Sequence, residues 1–448
     1  MKKLSPFIQW FVLLLAILLP FFIIRFFPKF HHSYDLRIFR EWSEPWQEDW
    51  RSIYVNCETC NYPFVGTFLS GGVMSAFDYK NVARVINRFR YYLAVVDGLN
   101  VLALWFILTR LHVKNAPFWA GVIGLLPTSW IGSSVWGQID GMGQSLILLF
   151  FILMIWFNAK PRGNGAHYLF FAASGLLLSL MLLTKQLIYF SIGAVGLILL
   201  AGMFLYPRPA KVTFISILTA GAAFLLPVML IDSFLRLKPP YFSHLQYVLA
   251  TGSQHGDIIS SLGFNIWVFF TKDLLGSSHL PLQIGGITLQ AVSPYSVGMF
   301  LFFAVNIALF FLFFRDLHKS AVTGSQNFNI SQLLSALVYF SMVNLTFNLT
   351  LTGTHERYLY HFYPFILMAC LGLMQRSRFF NKPLLTALFG GALFYSSFLY
   401  YYLAGVIRPQ NFMMIRVGSA VHLGLFLLLL FVWIRNSNSQ TLDATSQT

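Results

Sequence analysis

The sequence predicts an all-α integral membrane protein. The expected form is a polytopic bundle of about twelve transmembrane helices, with a long first extracytoplasmic loop that contains interfacial amphipathic helices. Three observations predict it. Apolar residues make up 57% of the 448 and come in long unbroken runs, not at the half-buried periods of 3.6 or 2. Only 10% of residues are charged, against about 25% in a typical soluble domain. The lysines and arginines sit mostly in the gaps between runs.

In chain order the expected spans cover about 7–27, 91–110, 116–131, 142–158, 167–184, 186–205, 212–231, 294–314, 328–350, 358–375, 383–404 and 411–434. Residues 1–435 thus read as one transmembrane domain, and the polar stretch 436–448 as a disordered tail. The first run follows Met1-Lys2-Lys3 in the manner of a signal peptide. It exceeds the usual apolar core of one, and no small-x-small cleavage site follows, so a retained helix is expected. The net charge of +15 would point to nucleic acid in a soluble protein, but no nucleic-acid signature accompanies it and membrane topology accounts for it.

With the amino terminus cytoplasmic, the inner segments hold Lys2, Lys3, Arg110, Lys114, Lys160, Arg162, Arg208, Lys211, Arg315, Lys319, Arg376, Arg378, Lys382 and Arg435, against only Asp316 and Asp443. Every short inner loop then carries at least two positive charges, as the positive-inside rule requires, and both long loops, about 28–90 and 232–293, fall outside. Twelve of the fifteen acidic residues land on that outer side, and Asp97 lies within the second span. An enzyme working on the outer face needs such a distribution; a scaffold does not. The compact inner loops favour a bacterial plasma membrane, with the endoplasmic reticulum as the alternative. Cys57 and Cys60 form a CxxC in the first loop. An incidental pair or a small-loop disulfide is expected there, because zinc would need two further ligands and none is evident.

Four outer-face groups carry the polar chemistry. Asp35 follows the first span, ahead of Leu36, Phe39, Trp42, Trp46 and Trp50, which recur every three or four residues and share a helical face despite Pro45. Such an aromatic face suits the membrane–water interface, and Asp35 would then lie at head-group depth, able to accept a proton from a sugar hydroxyl. The plainer reading of Asp35 is an N-cap. The second group, Ser133-Ser134-Val135-Trp136-Gly137-Gln138-Ile139-Asp140-Gly141, offers Gln138 and Asp140 to a polar ligand, with a helix cap as the plainer role. The third is Thr184-Lys185-Gln186, and the fourth Thr352-Gly353-Thr354-His355-Glu356-Arg357-Tyr358, where arginine and lysine suit phosphate. Lys185 alone reads as a snorkelling lysine; three consecutive ionisable residues at His355-Glu356-Arg357 are costly unless they meet a ligand or one another.

The order of these elements (Asp after the first span, a Tyr-Pro loop, Trp-Gly-Gln-x-Asp, Lys-Gln, His-Glu-Arg-Tyr) resembles the GT-C glycosyltransferases. The likeness is to bacterial mannosyltransferases related to the second GPI mannosyltransferase and, more distantly, to the glucosyltransferases that extend the dolichol-linked oligosaccharide. It covers about residues 30 to 370 through short motifs in consistent order. It implies transfer of a hexose, mannose foremost, from a polyprenyl-phosphate sugar to a lipid-linked or protein acceptor with inversion. It also implies Asp35 as catalytic base, Lys185, His355 and Arg357 near the donor phosphate, and Gln138, Asp140, Gln186 and Glu356 at the substrate. No cofactor, metal or nucleic-acid partner is expected beyond the lipid-linked donor and the membrane. Family members often carry an acidic residue before Tyr-Pro-Pro; this chain has Asn61-Tyr62-Pro63-Phe64, which removes a second carboxylate.

Two other classes fit a polytopic chain. A transporter or flippase for lipid-linked sugars would show inverted repeats and charges at mid-membrane, where only Asp97 is found. A lipid-linked polysaccharide ligase or polymerase would usually place its large functional loop late in the chain, whereas here the first loop is prominent.

Overall fold

The computed structural model describes residues 4–77, 81–158, 163–206, 208–238, 243–284, 286–319, 328–407 and 412–445. Of the inner charges, Lys2, Lys3, Lys160 and Arg162 lie outside the described residues. Contacts divide the chain into two compact units: Met1–Gly196 with Tyr206–Gly252, and Leu197–Leu205 with Ser253–Thr448.

The first unit opens with α1 (Pro6–Phe26), started by a Ser5 hydroxyl that accepts the Ile8 amide and by Pro6 at a position where the missing N–H costs nothing. The first loop then folds into α2 (Ser33–Asp49) and the short helices α3 (Ile53–Asn56), α4 (Phe64–Thr67) and α5 (Val73–Ser75). Next come α6 (Val82–Arg110), α7 (Ala116–Leu125), α8 (Asp140–Asn158), α9 (Asn164–Thr184), α10 (Tyr189–Leu205), whose residues from Leu197 on belong to the second unit, α11 (Ala210–Phe234) and α12 (Ser243–Ser253). In the second unit a loop carries strands β1 (Ser260–Ser261), β2 (Leu282–Ile284) and β3 (Ile287–Leu289) ahead of α13 (Pro294–Lys319). It continues with α14 (Ile330–Thr350), β4 (Thr354–His355), α15 (Tyr363–Leu373), α16 (Lys382–Leu403) and α17 (Phe412–Thr445). A reciprocal capping box between Asn329 and Gln332 starts α14.

Among the described residues ten helices are long and apolar enough to cross a membrane, and the chain is a nearly all-α, multi-pass membrane protein. Ten of the expected spans therefore correspond to long helices. The other two are shorter. The expected span 116–131 becomes the ten-residue α7, then a 3₁₀ turn at Pro127–Ser129 and a π turn at Ile131–Val135. The expected span 358–375 becomes the eleven-residue α15, every residue of which is buried. Both departures have one cause. Backbone enclosed by protein can leave the helix, provided its polar groups find partners there, whereas backbone against lipid cannot. The last helix runs beyond Asn436 to Thr445, where composition alone predicts a disordered tail; residues 446–448 lie outside the described residues.

The aromatic face of α2 also differs from expectation. Pro45 is accommodated inside the helix, and Leu36, Phe39 and Trp42 are buried in a core with Tyr54, Phe89, Leu93 and Ile139. Phe39 and Trp42 pack on the Tyr62 ring, and Trp46 on Phe64 and Phe68. The stripe that periodicity assigned to the lipid interface is thus largely turned into the protein. The Cys57–Cys60 disulfide closes the bend after α3.

Helices α9 and α11 approach closely where Gly175 faces Ala220, and a Cβ at Gly175 would overlap the Ala220 carbonyl. Gly175→Leu is expected to destabilise the protein by about 1–3 kcal/mol or more through forced separation of the helices. A lowered thermal unfolding midpoint of the detergent-solubilised protein would report it.

Candidate functional site

Asp35 lies in the first turn of α2, but it is not the cap. The cap is His32, whose Nδ1 accepts the Asp35 amide at 3.4 Å. The Asp35 carboxylate instead turns towards the segment before α8. Its Oδ2 accepts from Trp136 Nε1 at 2.7 Å and from Gln138 Nε2 at 2.6 Å. The His32 ring completes the corner, stacked on Trp136 at 4.8 Å with Nδ1 3.2 Å from the same carboxylate oxygen. At 15% side-chain exposure Asp35 is reachable from outside, while Gln138 and Trp136 beneath it are buried.

Gln138 passes the network inward. Its Oε1 accepts from the Tyr62 hydroxyl and from Lys185 Nζ, each at 3.1 Å. Those partners fix the amide orientation, because the reversed amide would press its NH₂ against the lysine ammonium. Lys185 Nζ then pairs with Asp140 Oδ1 at 2.5 Å and lies 5.2 Å from the Tyr62 ring centre. Lys185 follows the last turn of α9 in an extended conformation, which breaks the helix and aims the side chain inward. Gln186, next in the chain, donates to the Asn61 carbonyl. Asp140 opens α8 and is buried against Lys185.

Gly137 makes the turn between Trp136 and Gln138. Its φ of +94° lies in the left-handed region, and a Cβ there would press into the Leu36 side chain beside Asp35. The Trp-Gly-Gln motif is therefore a hydrogen-bond donor, a tight bend and a second donor, all serving one carboxylate.

Support for this corner comes from α6. Arg90 is fully buried and donates to the carbonyls of Pro28 at 2.9 Å, Phe30 at 2.8 Å and Ser134 at 3.3 Å. Asp97, two turns on, accepts the Ser134 amide at 3.2 Å. Asn100 donates to the Gly141 carbonyl at 2.9 Å. The polar stripe 90, 97, 100 thus grips the irregular segment that carries Trp136 and Gln138.

The fourth group lies in the second unit. Strand β4 pairs parallel with β1, Asn265 Nδ2 donates to Thr354 Oγ1 at 2.9 Å, and Trp267 Nε1 donates to the Thr350 carbonyl at 2.6 Å. This frame holds Glu356 buried against Arg357 Nη1 at 3.2 Å, with His355 Nδ1 3.7 Å from its other oxygen. His355 and Arg357 remain partly exposed, at 18% and 12% of their side chains. The expected opening of a membrane helix here is instead a strand and a run of turns ahead of α15.

Asp35, Gln138, Asp140, Lys185 and Gln186 thus gather within the first unit, and His355, Glu356 and Arg357 within the second. Sequence reasoning passed over Trp136, Tyr62, His32 and Arg90 as site residues. Trp136 and Tyr62 sit inside quoted motifs, and a buried polar tip on an aromatic ring was the available signal. Arg90 gave none, since a cation near a span end reads as topology. Among the described residues no three His, Cys, Asp or Glu side chains gather as a metal site. A cavity of about 360 Å³, lined by Trp105, Phe106, Thr109, Arg110 and His112, lies at the far end of α6 and includes none of these residues. No family model matches the chain, and no curated protein or solved structure matches it.

Two outcomes follow from this geometry. Asp140→Ala leaves the Lys185 ammonium buried without its carboxylate, and should cost about 3–5 kcal/mol, while adding Lys185→Met to it should restore part of the loss. A double-mutant cycle of unfolding midpoints measures both. Burial alone would push the Glu356 carboxyl up, but its interactions with His355 and Arg357 outweigh burial and hold it below the ordinary glutamate range. The folded carboxyl thus binds its proton more weakly than the unfolded one. The pair's contribution is complete above the ordinary glutamate range and fades as pH falls through the lowered folded value. Stability measured against pH should show that acid limb, and Glu356→Gln should flatten it.

Proposed function

We propose that the protein is a GT-C type membrane glycosyltransferase whose general base is Asp35. The observation that carries this reading is the oriented, partly exposed carboxylate held by the Trp136 and Gln138 donors. Two donors on one oxygen fix a base in direction, as proton abstraction from a neutral hydroxyl requires. In the step proposed, an acceptor hydroxyl attacks the anomeric carbon of a polyprenyl-phosphate hexose, mannose in the preferred case. The new bond forms as the bond from the anomeric carbon to the phosphate oxygen breaks. The hydroxyl proton passes to Asp35, and the carrier phosphate leaves with the electron pair, so the sugar is inverted.

The site is proposed to face away from the cytoplasm, in a bacterial plasma membrane. The basic residues of the short loops support that orientation, and so does the Cys57–Cys60 disulfide, since such bonds persist in oxidising compartments. Lys185 is nearly buried and already meets Asp140, Gln138 and Tyr62, which supports a positioning role for it. His355 and Arg357, more exposed, are the better groups for the donor phosphate. Asp97 grips backbone instead of lining a mid-membrane path, which favours transfer over transport.

Membranes carrying the protein, supplied with radiolabelled polyprenyl-phosphate mannose and endogenous lipid acceptors, are expected to transfer label. Asp35→Asn should lower that rate by about 10²–10⁴. Undiminished transfer by the variant would sink the assignment of the base. Movement of intact labelled lipid between leaflets without sugar transfer would replace the enzyme by a flippase.

A further inference from the structure

The loop before α13 contains a hairpin that the proposed reaction does not use. Strands β2 and β3 pair antiparallel with Leu282 opposite Leu289, Gln283 opposite Thr288 and Ile284 opposite Ile287. Alternation sorts these onto two faces: Leu282, Ile284, Ile287 and Leu289 on one, Gln283 and Thr288 on the other. On the apolar face only Leu282 is covered, and Leu289 opposite it is 38% exposed. Leu282 is buried with Trp267 and packs beside Val297 and Leu301, which belong to the first turns of α13. Towards the tip, Ile284 is 43% exposed and Ile287 66%.

An isolated two-stranded hairpin is marginal in water, and an uncovered isoleucine pair at its tip makes it more so. Its place in the chain says what covers the tip. The hairpin leads directly into a membrane-crossing helix, and residues 280–314 contain no Asp, Glu, Lys, Arg or His. The apolar tip is continuous in sequence with the face of α13 that exposes Phe300, Phe303, Ile307 and Phe311. The edges of the hairpin still carry backbone N–H and C=O groups that need water or head groups, so the hydrocarbon core is closed to it.

We propose that the tip of this hairpin, Ile284 and Ile287, inserts into the head-group and acyl boundary of the leaflet at the amino-terminal end of α13. The partner is a lipid surface, and the polar Gln283/Thr288 face stays towards water. The hairpin acts as a shallow interfacial anchor that fixes the height of the second-unit loop above the bilayer.

The full chain reconstituted in nanodiscs of phosphatidylcholine and phosphatidylglycerol tests this, since both leaflets are accessible there. Cys57 and Cys60 are bonded and Cys370 is buried, so a cysteine introduced as Ile287→Cys or Thr288→Cys can be labelled with an environment-sensitive fluorophore. The label at 287 is expected to emit further to the blue, and to be quenched by shallow nitroxide lipids roughly twofold more than the label at 288. Aqueous iodide should show the reverse order. Equal iodide quenching at both positions would overturn the proposal by placing the tip in water. Protection of 287 from both quenchers would overturn it too, by showing protein over the tip; Ile284→Cys repeats the reading from the opposing strand.

Discussion

The backbone of one residue, Ser134, holds the first unit's polar architecture together. The Ser134 carbonyl accepts from Arg90 and the Ser134 amide donates to Asp97, so two opposite charges on one face of α6 grip the two ends of a single residue's backbone. The grip answers a constraint. Residues 128–141 are continuously buried, yet 128–139 lie outside any α-helix, which frees N–H and C=O groups that cannot reach water. Charged partners are the strong way to satisfy them, and a pair of opposite sign avoids adding net charge to the interior. Asp97 is therefore explained by its backbone partner without any appeal to transport.

From that grip the position of Asp35 follows. Arg90 also ties down the Pro28 and Phe30 carbonyls, where the first loop leaves α1, and the His32 amide donates to the Trp136 carbonyl at 3.2 Å. The start of α2 and the bend at Gly137 are thus bound to the same support. Errors in their relative position are small because few flexible torsions separate them. The buried Lys185–Asp140 pair extends this order inward. Pairs of this kind add little net stability over apolar replacements, because desolvation cancels much of the attraction. What the pair supplies is direction: it presents one ammonium to Gln138 Oε1 and so turns the amide NH₂ towards Asp35.

Legibility in the sequence followed the length scale of the signal. The ten long helices were visible because hydropathy integrates over about twenty residues. Composition makes α7 and α15 look longer than they are, since a run buried in protein and a run exposed to lipid have the same composition. The α2 stripe was placed correctly on one face but given the wrong neighbour: periodicity shows that Leu36, Phe39 and Trp42 share a side, not whether protein or lipid covers it. Gln138, Asp140, Lys185 and Gln186 were found because polar residues between apolar runs are conspicuous. That Lys185 meets Gln138 and Asp140 is not legible, because 45 residues of chain separate Asp140 from Lys185. Trp136 and Tyr62 escaped for the opposite reason, being aromatic residues among many.

Charge counting within the first-unit cluster constrains what it can do. Asp35 and Asp140 contribute two negative charges and Lys185 one positive, which leaves a net −1. A cluster of that sign suits taking a proton from a neutral hydroxyl and repels an incoming phosphate. Lys185 cannot relieve that repulsion without abandoning Asp140, and doing so would strand a buried carboxylate. On the proposed reaction, the cations for the donor phosphate would come from outside the Lys185 network. The second-unit group has its own offset, since Glu356 pairs with Arg357. On the proposed reaction, the base and the phosphate-binding roles therefore fall to separate groups. A reaction that builds negative charge on a leaving phosphate while consuming a proton at a carboxylate calls for that separation.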